Sequence, residues 1–309
     1  MKLHPEVEAL RRVRIAAGTP PLRELSVAEA REAELVAIEQ RGEPEHVAEV
    51  VELSLPGQAG QIPIRLYRPS SPLPLPALVY FFGGGWVVGS LETGDHVCRR
   101  LANATPCAVV AVEYRQAPEH RFPAAVEDCH AATRWVAEHG TELGIDPRRL
   151  ALGGPSAGGN LAAAVTLLAR EQRGPKLRFQ LLVYPPLAYR SDTPSMRDTV
   201  DPVFFDRSDV AWCWRHYLAR GEDGDSPLAS PLRAADLRGL PPALVITADW
   251  DPLRDDAEQY AARLEAAGVP TELVRLDAMV HGFYSMNGVL SAAERAQALT
   301  AAALRRALG

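Results

Sequence analysis

The sequence predicts an α/β fold with a mostly parallel central sheet, helices on both faces of that sheet and a helical cap. Short apolar segments typical of strands alternate with amphipathic segments typical of helices from residue 78 onwards. The 309 residues, 47% of them hydrophobic, can bury one large core. We therefore expect one large α/β domain over residues 46–309.

Two helices precede the first strand. Residues 4–16 and 26–41 have helical periodicity. Ser26 and Glu29 have the spacing of a capping box, which marks the start of the second helix. We assign residues 1–45 to a pair of N-terminal cap helices.

Strand and helix patterns fill most of the remaining chain. Segments 47–55 and 62–67 predict an antiparallel pair of strands at the sheet edge. Further strands are predicted over residues 78–82, 108–112, 150–153, 180–184, 243–247 and 271–276. Helices between and after them are predicted over residues 95–104, 123–139, 157–171, 253–267 and 291–308.

The alternation stops between residues 185 and 240. This insertion contains a predicted helix over residues 207–219 and several aromatic side chains. An aromatic insertion over the carboxyl ends of parallel strands is where a substrate pocket or lid belongs. We therefore predict a second cap segment here, and a pocket lined by Phe82, Trp86, Phe204, Phe205 and Trp212. The alternative is that these aromatic side chains only pack the insertion onto the core.

Composition argues against several classes of protein. The formal net charge is −6 without a basic stripe, so we expect no nucleic-acid partner. No window approaches the roughly 18 uncharged apolar residues of a membrane span. The charged, amphipathic start of the chain predicts no secretory signal. The reduced thiols expected of its cysteines predict a cytoplasmic protein. The four cysteines have no metal-ligand spacing, which predicts reduced thiols and no metal: Cys98, Cys107, Cys129 and Cys213.

The strongest candidate for chemistry is Ser156. Residues 154–158 read Gly-Pro-Ser-Ala-Gly, the form G-x-S-x-G, in which a serine sits on a sharp turn between a strand and a helix. A turn this tight leaves no room for a Cβ at Gly154 or Gly158. The pattern alone could arise by chance, but the strand before it and the helix after it are the context that the motif requires. The glycines fit neither a P-loop nor G-x-G-x-x-G.

A serine hydroxyl needs a base and an orienting carboxylate to act as a nucleophile. Asp251 follows a predicted strand and directly precedes Pro252, and His281 follows the last predicted strand. Asp249 is the main alternative for the acid, and Asp251 could instead only cap the next helix. The order serine, aspartate, histidine is the order of the α/β-hydrolase fold. We predict Ser156, Asp251 and His281 as a catalytic triad.

A run of glycines after the first parallel strand predicts an oxyanion hole. Such a run lets backbone N–H groups converge where negative charge develops in acyl transfer. The residue after the nucleophile contributes a further N–H group. We predict Gly84, Gly85 and Ala157 as the donors, with Gly83 as a further candidate.

Together these motifs resemble the bacterial hormone-sensitive-lipase-like carboxylesterases of the α/β-hydrolase superfamily. The resemblance extends over nearly the whole chain and is carried by residues 83–86, 114–125, 154–160, 251–255 and 281–283. It implies hydrolysis of small-molecule esters with short to medium acyl chains, through an acyl-enzyme and without a cofactor. It also implies a helical cap over the site, and dimers are common in this family.

Two residues depart from the family pattern. Phe82 stands where the family has a histidine before its glycines, and Pro155 stands where it has an aspartate before its serine. We hypothesise that the triad is intact while the order of the oxyanion loop, the rate or the substrate preference is altered. Two other functions stay open at this point. One is a ligand-binding relative that does not hydrolyse esters, and the other is a peptidase or amidase.

Overall fold

One eight-stranded sheet organises the fold. A computed structural model describes residues 2–39, 41–198, 201 and 203–309. Its strands are β1 (Glu49–Gly57), β2 (Gly60–Arg68), β3 (Leu75–Phe81), β4 (Ala108–Val112), β5 (Ile145–Pro155), β6 (Leu177–Val183), β7 (Ala243–Trp250) and β8 (Thr271–Val280). They lie in the order β1-β2-β4-β3-β5-β6-β7-β8. The pairs β1/β2 and β2/β4 are antiparallel and the other pairs are parallel. This confirms the predicted sheet and its antiparallel edge.

Helices cover both faces of the sheet. They are α1 (Pro5–Ala16), α2 (Val27–Glu39), α3 (Leu91–Ala104), α4 (Ala124–His139), α5 (Ala157–Glu171), α6 (Pro194–Asp198), α7 (Arg207–Tyr217), α8 (Arg254–Ala266) and α9 (Ser291–Leu308). Helices α3 and α9 contact each other, as do α4 and α5, which places one pair on each face. Because α5 consists mainly of Ala, Gly and Leu, it can lie almost wholly within the core.

Most predicted elements are present with shifted ends. Helix α3 starts earlier than predicted, because the Ser90 N–H donates to the Thr93 hydroxyl and so caps its first turn. Strand β5 also starts earlier, at Ile145, which pairs with Leu75 of β3. The short helix α6 was not predicted, since five residues carry too little periodic signal. The predicted helix over residues 26–41 includes residue 40, which lies outside the described residues.

The N-terminal segment and the insertion after β6 contact each other. The guanidinium of Arg23 forms ion pairs with Asp206 at 3.1 Å and with Asp209 at 3.3 Å. The indole N–H of Trp212 donates to the carbonyl of Leu25 at 3.2 Å. Two segments far apart in sequence therefore form one layer. The division into cap segments and a catalytic domain stays a prediction.

Two further features concern membrane-spanning helices and the state of the cysteines. Among the described helices, none combines the length and the apolar character that crossing a membrane requires. The four cysteines are free thiols in buried positions.

Candidate active site

Ser156 lies at the tight turn between β5 and α5. Its backbone has φ 53° and ψ −121°, a conformation that non-glycine residues rarely adopt. Such strain costs about 1–3 kcal/mol and persists only where the surroundings fix it. Here the N–H of Ser156 donates to the carbonyl of Val183 at 2.8 Å, which ties the turn to the end of β6.

Two glycines allow this turn to approach β3. A Cβ added to either Gly154 or Gly158 would collide with the carbonyl oxygen of Phe81. The sequence argument that these positions have no room for a side chain therefore agrees with the geometry.

The predicted triad residues come together at the carboxyl ends of the strands. The Nε2 atom of His281 is 3.0 Å from the hydroxyl oxygen of Ser156. Its Nδ1 atom is 2.8 Å from a carboxylate oxygen of Asp251. The side chain of Asp251 is fully buried, and that of His281 is 8% exposed. The low local dielectric strengthens both hydrogen bonds.

The two candidate aspartates have different partners. Asp249 lies at the end of β7 and accepts a hydrogen bond from the backbone N–H of Ala278 at 2.8 Å. Asp251 accepts from the backbone N–H of Leu253 at 2.8 Å with one oxygen, while its other oxygen faces His281. Asp251 thus makes the predicted turn contact and the imidazole contact together.

Two aromatic rings enclose the imidazole. Phe205 stacks on His281 with ring centroids 4.4 Å apart and an interplanar angle of 23°. The Tyr184 ring is tilted by 55° to the His281 ring, with the two ring centroids 4.6 Å apart. The backbone φ of Tyr184 is 37°. Sequence reasoning missed Tyr184, although its place at the carboxyl end of a predicted parallel strand was a usable signal.

The glycine loop lies beside the serine. A Cβ added to Gly83 would be 3.5 Å from the Cβ of Ser156. Gly84 and Gly85 have φ values of 118° and 59°, which favour glycine. Within the described part of the chain, the backbone N–H groups of Gly83, Gly84, Gly85 and Ala157 have no acceptor. Their role as oxyanion donors stays a prediction.

Aromatic packing holds the first part of this loop. Phe82 is buried and stacks on Tyr114, with ring centroids 4.3 Å apart. The Tyr114 hydroxyl donates to the Phe82 carbonyl at 2.9 Å. Pro155 also packs here, since a Cβ on Gly83 would be 3.6 Å from the Cγ of Pro155. Both departures from the family pattern therefore lie in apolar contacts of the loop.

Helix α7 holds the second part of the loop. Trp86 stacks on Tyr217 with centroids 4.1 Å apart and an interplanar angle of 5°. Trp86 also contacts Trp214 at 4.6 Å. A Cβ on Gly85 would collide with the thiol of Cys213, so the loop backbone lies directly against this helix.

The predicted pocket residues separate into two groups. Phe205 contacts His281, whereas Phe82 and Trp86 belong to the packing of the glycine loop. Phe204 is buried, and the guanidinium of Arg14 lies 5.2 Å from the centre of its ring. Trp212 is buried against the N-terminal segment. A pocket role for these residues stays a prediction.

Metal chemistry has no evident site in the residues that the structure describes. They contain no group of three or more His, Cys, Asp or Glu side chains that could hold a metal ion.

Comparison with known proteins places the chain in a family. A family described as alpha/beta hydrolase fold matches residues 78–285. The esterase LipI of Mycobacterium tuberculosis is 43% identical over 260 residues, which cover 83% of this chain and 81% of that protein. The ethyl acetate hydrolase of Pseudomonas putida is 33% identical over 321 residues, with 100% of both chains covered. The crystal structure of a thermostable esterase from Pseudomonas putida has a TM-score of 0.96 at 36% identity, covering 100% of this chain and 98% of that one.

The chain therefore belongs to the α/β-hydrolase family. Its esterase relatives place it among the hormone-sensitive-lipase-like members, and it is a carboxylic ester hydrolase acting on small molecules. The predicted fold class, family and reaction class are confirmed.

Proposed function

We propose that Ser156, His281 and Asp251 are the nucleophile, base and orienting acid of this ester hydrolase. The observation that carries the proposal is the continuous chain of two hydrogen bonds, 3.0 Å from Ser156 to His281 and 2.8 Å from His281 to Asp251. A serine that donates to an imidazole, held in turn by a buried carboxylate, is the arrangement that activates a hydroxyl for acyl transfer.

In the first half-reaction, the Ser156 oxygen bonds to the acyl carbon while His281 Nε2 accepts the hydroxyl proton. Asp251 keeps the imidazole oriented and stabilises the imidazolium. The N–H groups of Gly84, Gly85 and Ala157, with Gly83 as a further donor, stabilise the tetrahedral oxyanion.

The ester C–O bond then breaks, and His281 returns its proton to the leaving alcohol. In the second half-reaction, water attacks the acyl-enzyme with the same base. The free acid leaves and Ser156 regains its proton.

We propose short to medium acyl chains as substrates. The rings of Phe205 and Tyr184 lie against the imidazole, so bulky side chains border the reacting atoms. The ethyl acetate hydrolase relative supports a small acyl group by its name. An acyl series from p-nitrophenyl acetate to palmitate tests this. Highest kcat/KM at palmitate would contradict it.

Substitution of the triad tests the chemical proposal. Ser156→Ala, His281→Gln and Asp251→Asn should each lower kcat on p-nitrophenyl butyrate by about 10⁴-fold or more. Ser70→Ala, which changes an exposed serine, is the matched control and should leave kcat unchanged. A burst of p-nitrophenol in the parent enzyme that persists in Ser156→Ala would refute Ser156 as the nucleophile.

We further propose that the two departures alter the oxyanion loop. Phe82 and Pro155 hold the loop through apolar contacts, whereas the family histidine and aspartate are polar. The double variant Phe82→His/Pro155→Asp should change kcat/KM or acyl preference across the same ester series. If neither changes, the hypothesis is wrong.

We propose a homodimer from the resemblance, and a cytoplasmic location from the four free, buried cysteines. Light scattering after size-exclusion chromatography should give about twice the 33.5 kDa chain mass for a dimer. Cell fractionation tests the location.

A further inference from the structure

A cavity lies beside α7, and neither Ser156 nor His281 lines it. Its volume is about 740 Å³. Small-molecule sites typically measure about 300–1,000 Å³, so this cavity has the size of a ligand site. Its walls come from the loop after β6, from α6 and α7, and from the segment after α7.

The charged residues that line the cavity are all basic. Six of its eighteen residues are arginines and none is Asp or Glu. Arg23 and Arg220 are held by carboxylates outside the lining. In contrast, Arg190, Arg207 and Arg215 form no side-chain ion pair or hydrogen bond with any residue that the structure describes. Three uncompensated cations on one cavity favour an anionic ligand.

Arg190 is held in place at this cavity. Its φ of 54° lies in the left-handed region, where a non-glycine residue is strained. Its guanidinium lies 4.9 Å from the centre of the Tyr189 ring. On the other side, a Cβ added to Gly221 would be 3.3 Å from the Arg190 Nη2 atom. Arg190 is thus positioned by these two neighbours, although it is an exposed residue.

Apart from the arginines, Tyr189, Ser191 and Ser208, the walls are apolar. Val210, Trp214, Met196 and Leu218 line the cavity although each is at least nine-tenths buried. A small inorganic anion would leave these walls without contacts. A neutral apolar molecule would leave the arginines without a counter-charge. The lining therefore matches a ligand that carries both a negative group and an apolar body.

We propose that this cavity is a binding site for an organic carboxylate with an apolar body. The planar guanidinium group matches a carboxylate through two parallel hydrogen bonds, which makes arginine the residue suited to this group. The apolar body packs against Trp214 and its neighbours. This site is separate from the triad, and its occupancy does not depend on ester hydrolysis.

Isothermal titration calorimetry with sodium octanoate tests the proposal. We expect saturable binding to the parent protein with one site per chain. Arg190→Gln/Arg207→Gln should weaken binding about tenfold or more, since charge-assisted hydrogen bonds are lost. Arg134→Gln is the matched control, because it neutralises an exposed arginine on α4, and binding should be unchanged. Circular dichroism verifies that the variants are folded.

Two control ligands separate the contributions of charge and apolar contact to binding: octan-1-ol lacks the negative charge, and acetate lacks the apolar body. Octan-1-ol and acetate should each bind much more weakly than octanoate. Equal binding of octanol and octanoate would refute the role of the arginines. Equal affinity of the parent and the double arginine variant would mean that octanoate binds elsewhere, for example beside Ser156, and would overturn the proposal. The absence of saturable binding would also overturn it.

Discussion

A buried carboxylate near the triad predicts an unusual dependence of stability on pH. Asp256 lies in the first turn of α8, five positions after Asp251. Its side chain accepts the Ser191 hydroxyl hydrogen bond at 2.6 Å through one oxygen. The other oxygen is buried and has no hydrogen-bond partner in the part of the chain that the structure describes. Burial, and to a smaller extent the negative charges of Asp255 and Asp251, raises the pKa of Asp256 to about 6.

The size and sign of the effect follow from this pKa. A rise from the ordinary value of 3.8 to about 6 corresponds to about 3 kcal/mol. Between these two pH values the folded state holds a proton on Asp256 that the unfolded state has released. The contribution of Asp256 to stability is therefore fully present below about pH 4 and is lost as pH rises through about 6.

Asp256→Asn removes the titrating group and keeps an oxygen that can accept from Ser191. The difference in the free energy of unfolding between Asp256→Asn and the parent should shift in favour of the variant by about 2.4 kcal/mol between about pH 4 and about pH 7.5. Urea unfolding at a series of pH values measures this difference. Comparing the two proteins at each pH cancels the contributions of all other carboxylates.

Asp192→Asn is the matched control, since Asp192 is an exposed neighbour of Ser191. Its effect should stay within about 0.5 kcal/mol at every pH. If the difference between Asp256→Asn and the parent is also flat from pH 4 to about 7.5, the reasoning from burial is wrong. A shift of opposite sign would mean that the charged form of Asp256 is stabilised in the folded protein.

Two further predictions concern the serine turn and the glycine loop. Gly158→Ala should abolish activity, because its Cβ collides with the Phe81 carbonyl. Gly174→Ala, whose Cβ would have only an ordinary 3.5 Å contact, should retain activity. Tyr217→Leu should lower kcat about tenfold or more through loss of the Trp86 stack, since each oxyanion donor is worth about 2.7–4 kcal/mol. Tyr217→Phe keeps the ring and should keep kcat, so equal loss in both variants would contradict this argument.

Local sequence patterns were sufficient for the parts of the site that depend on short segments. The turn at Ser156 could be predicted because the glycines, the preceding strand and the following helix all lie within about 20 residues. The sequence favoured Asp251 over Asp249 from its position before Pro252, but it could not show the geometry that separates the two. It depends on a register shift between β7 and β8 around residues 248–250, which leaves Asp249 facing the backbone of Ala278. Such a shift leaves no trace in hydrophobic periodicity.

The contacts of the aromatic residues in the insertion could not be predicted from local sequence patterns either. The sequence left open whether they form a pocket or pack the insertion onto the core, and the structure places them against different neighbours. Phe205 lies on His281, whereas Trp214 and Tyr217 face Trp86 because positions three apart share one side of α7. A side chain's direction on a cap helix depends on where that helix docks, which is a long-range property.

The packing of α7 also gives a physical reason why this chain tolerates Phe82 in its glycine loop. A loop held by hydrogen bonds depends on a polar residue at that position, whereas a loop held by stacked rings on Tyr114 and Tyr217 does not. The position of the proposed oxyanion donors then depends on a helix that is far from them in sequence. It follows that substitutions on the loop-facing side of α7 should lower kcat even though they leave Ser156, His281 and Asp251 untouched.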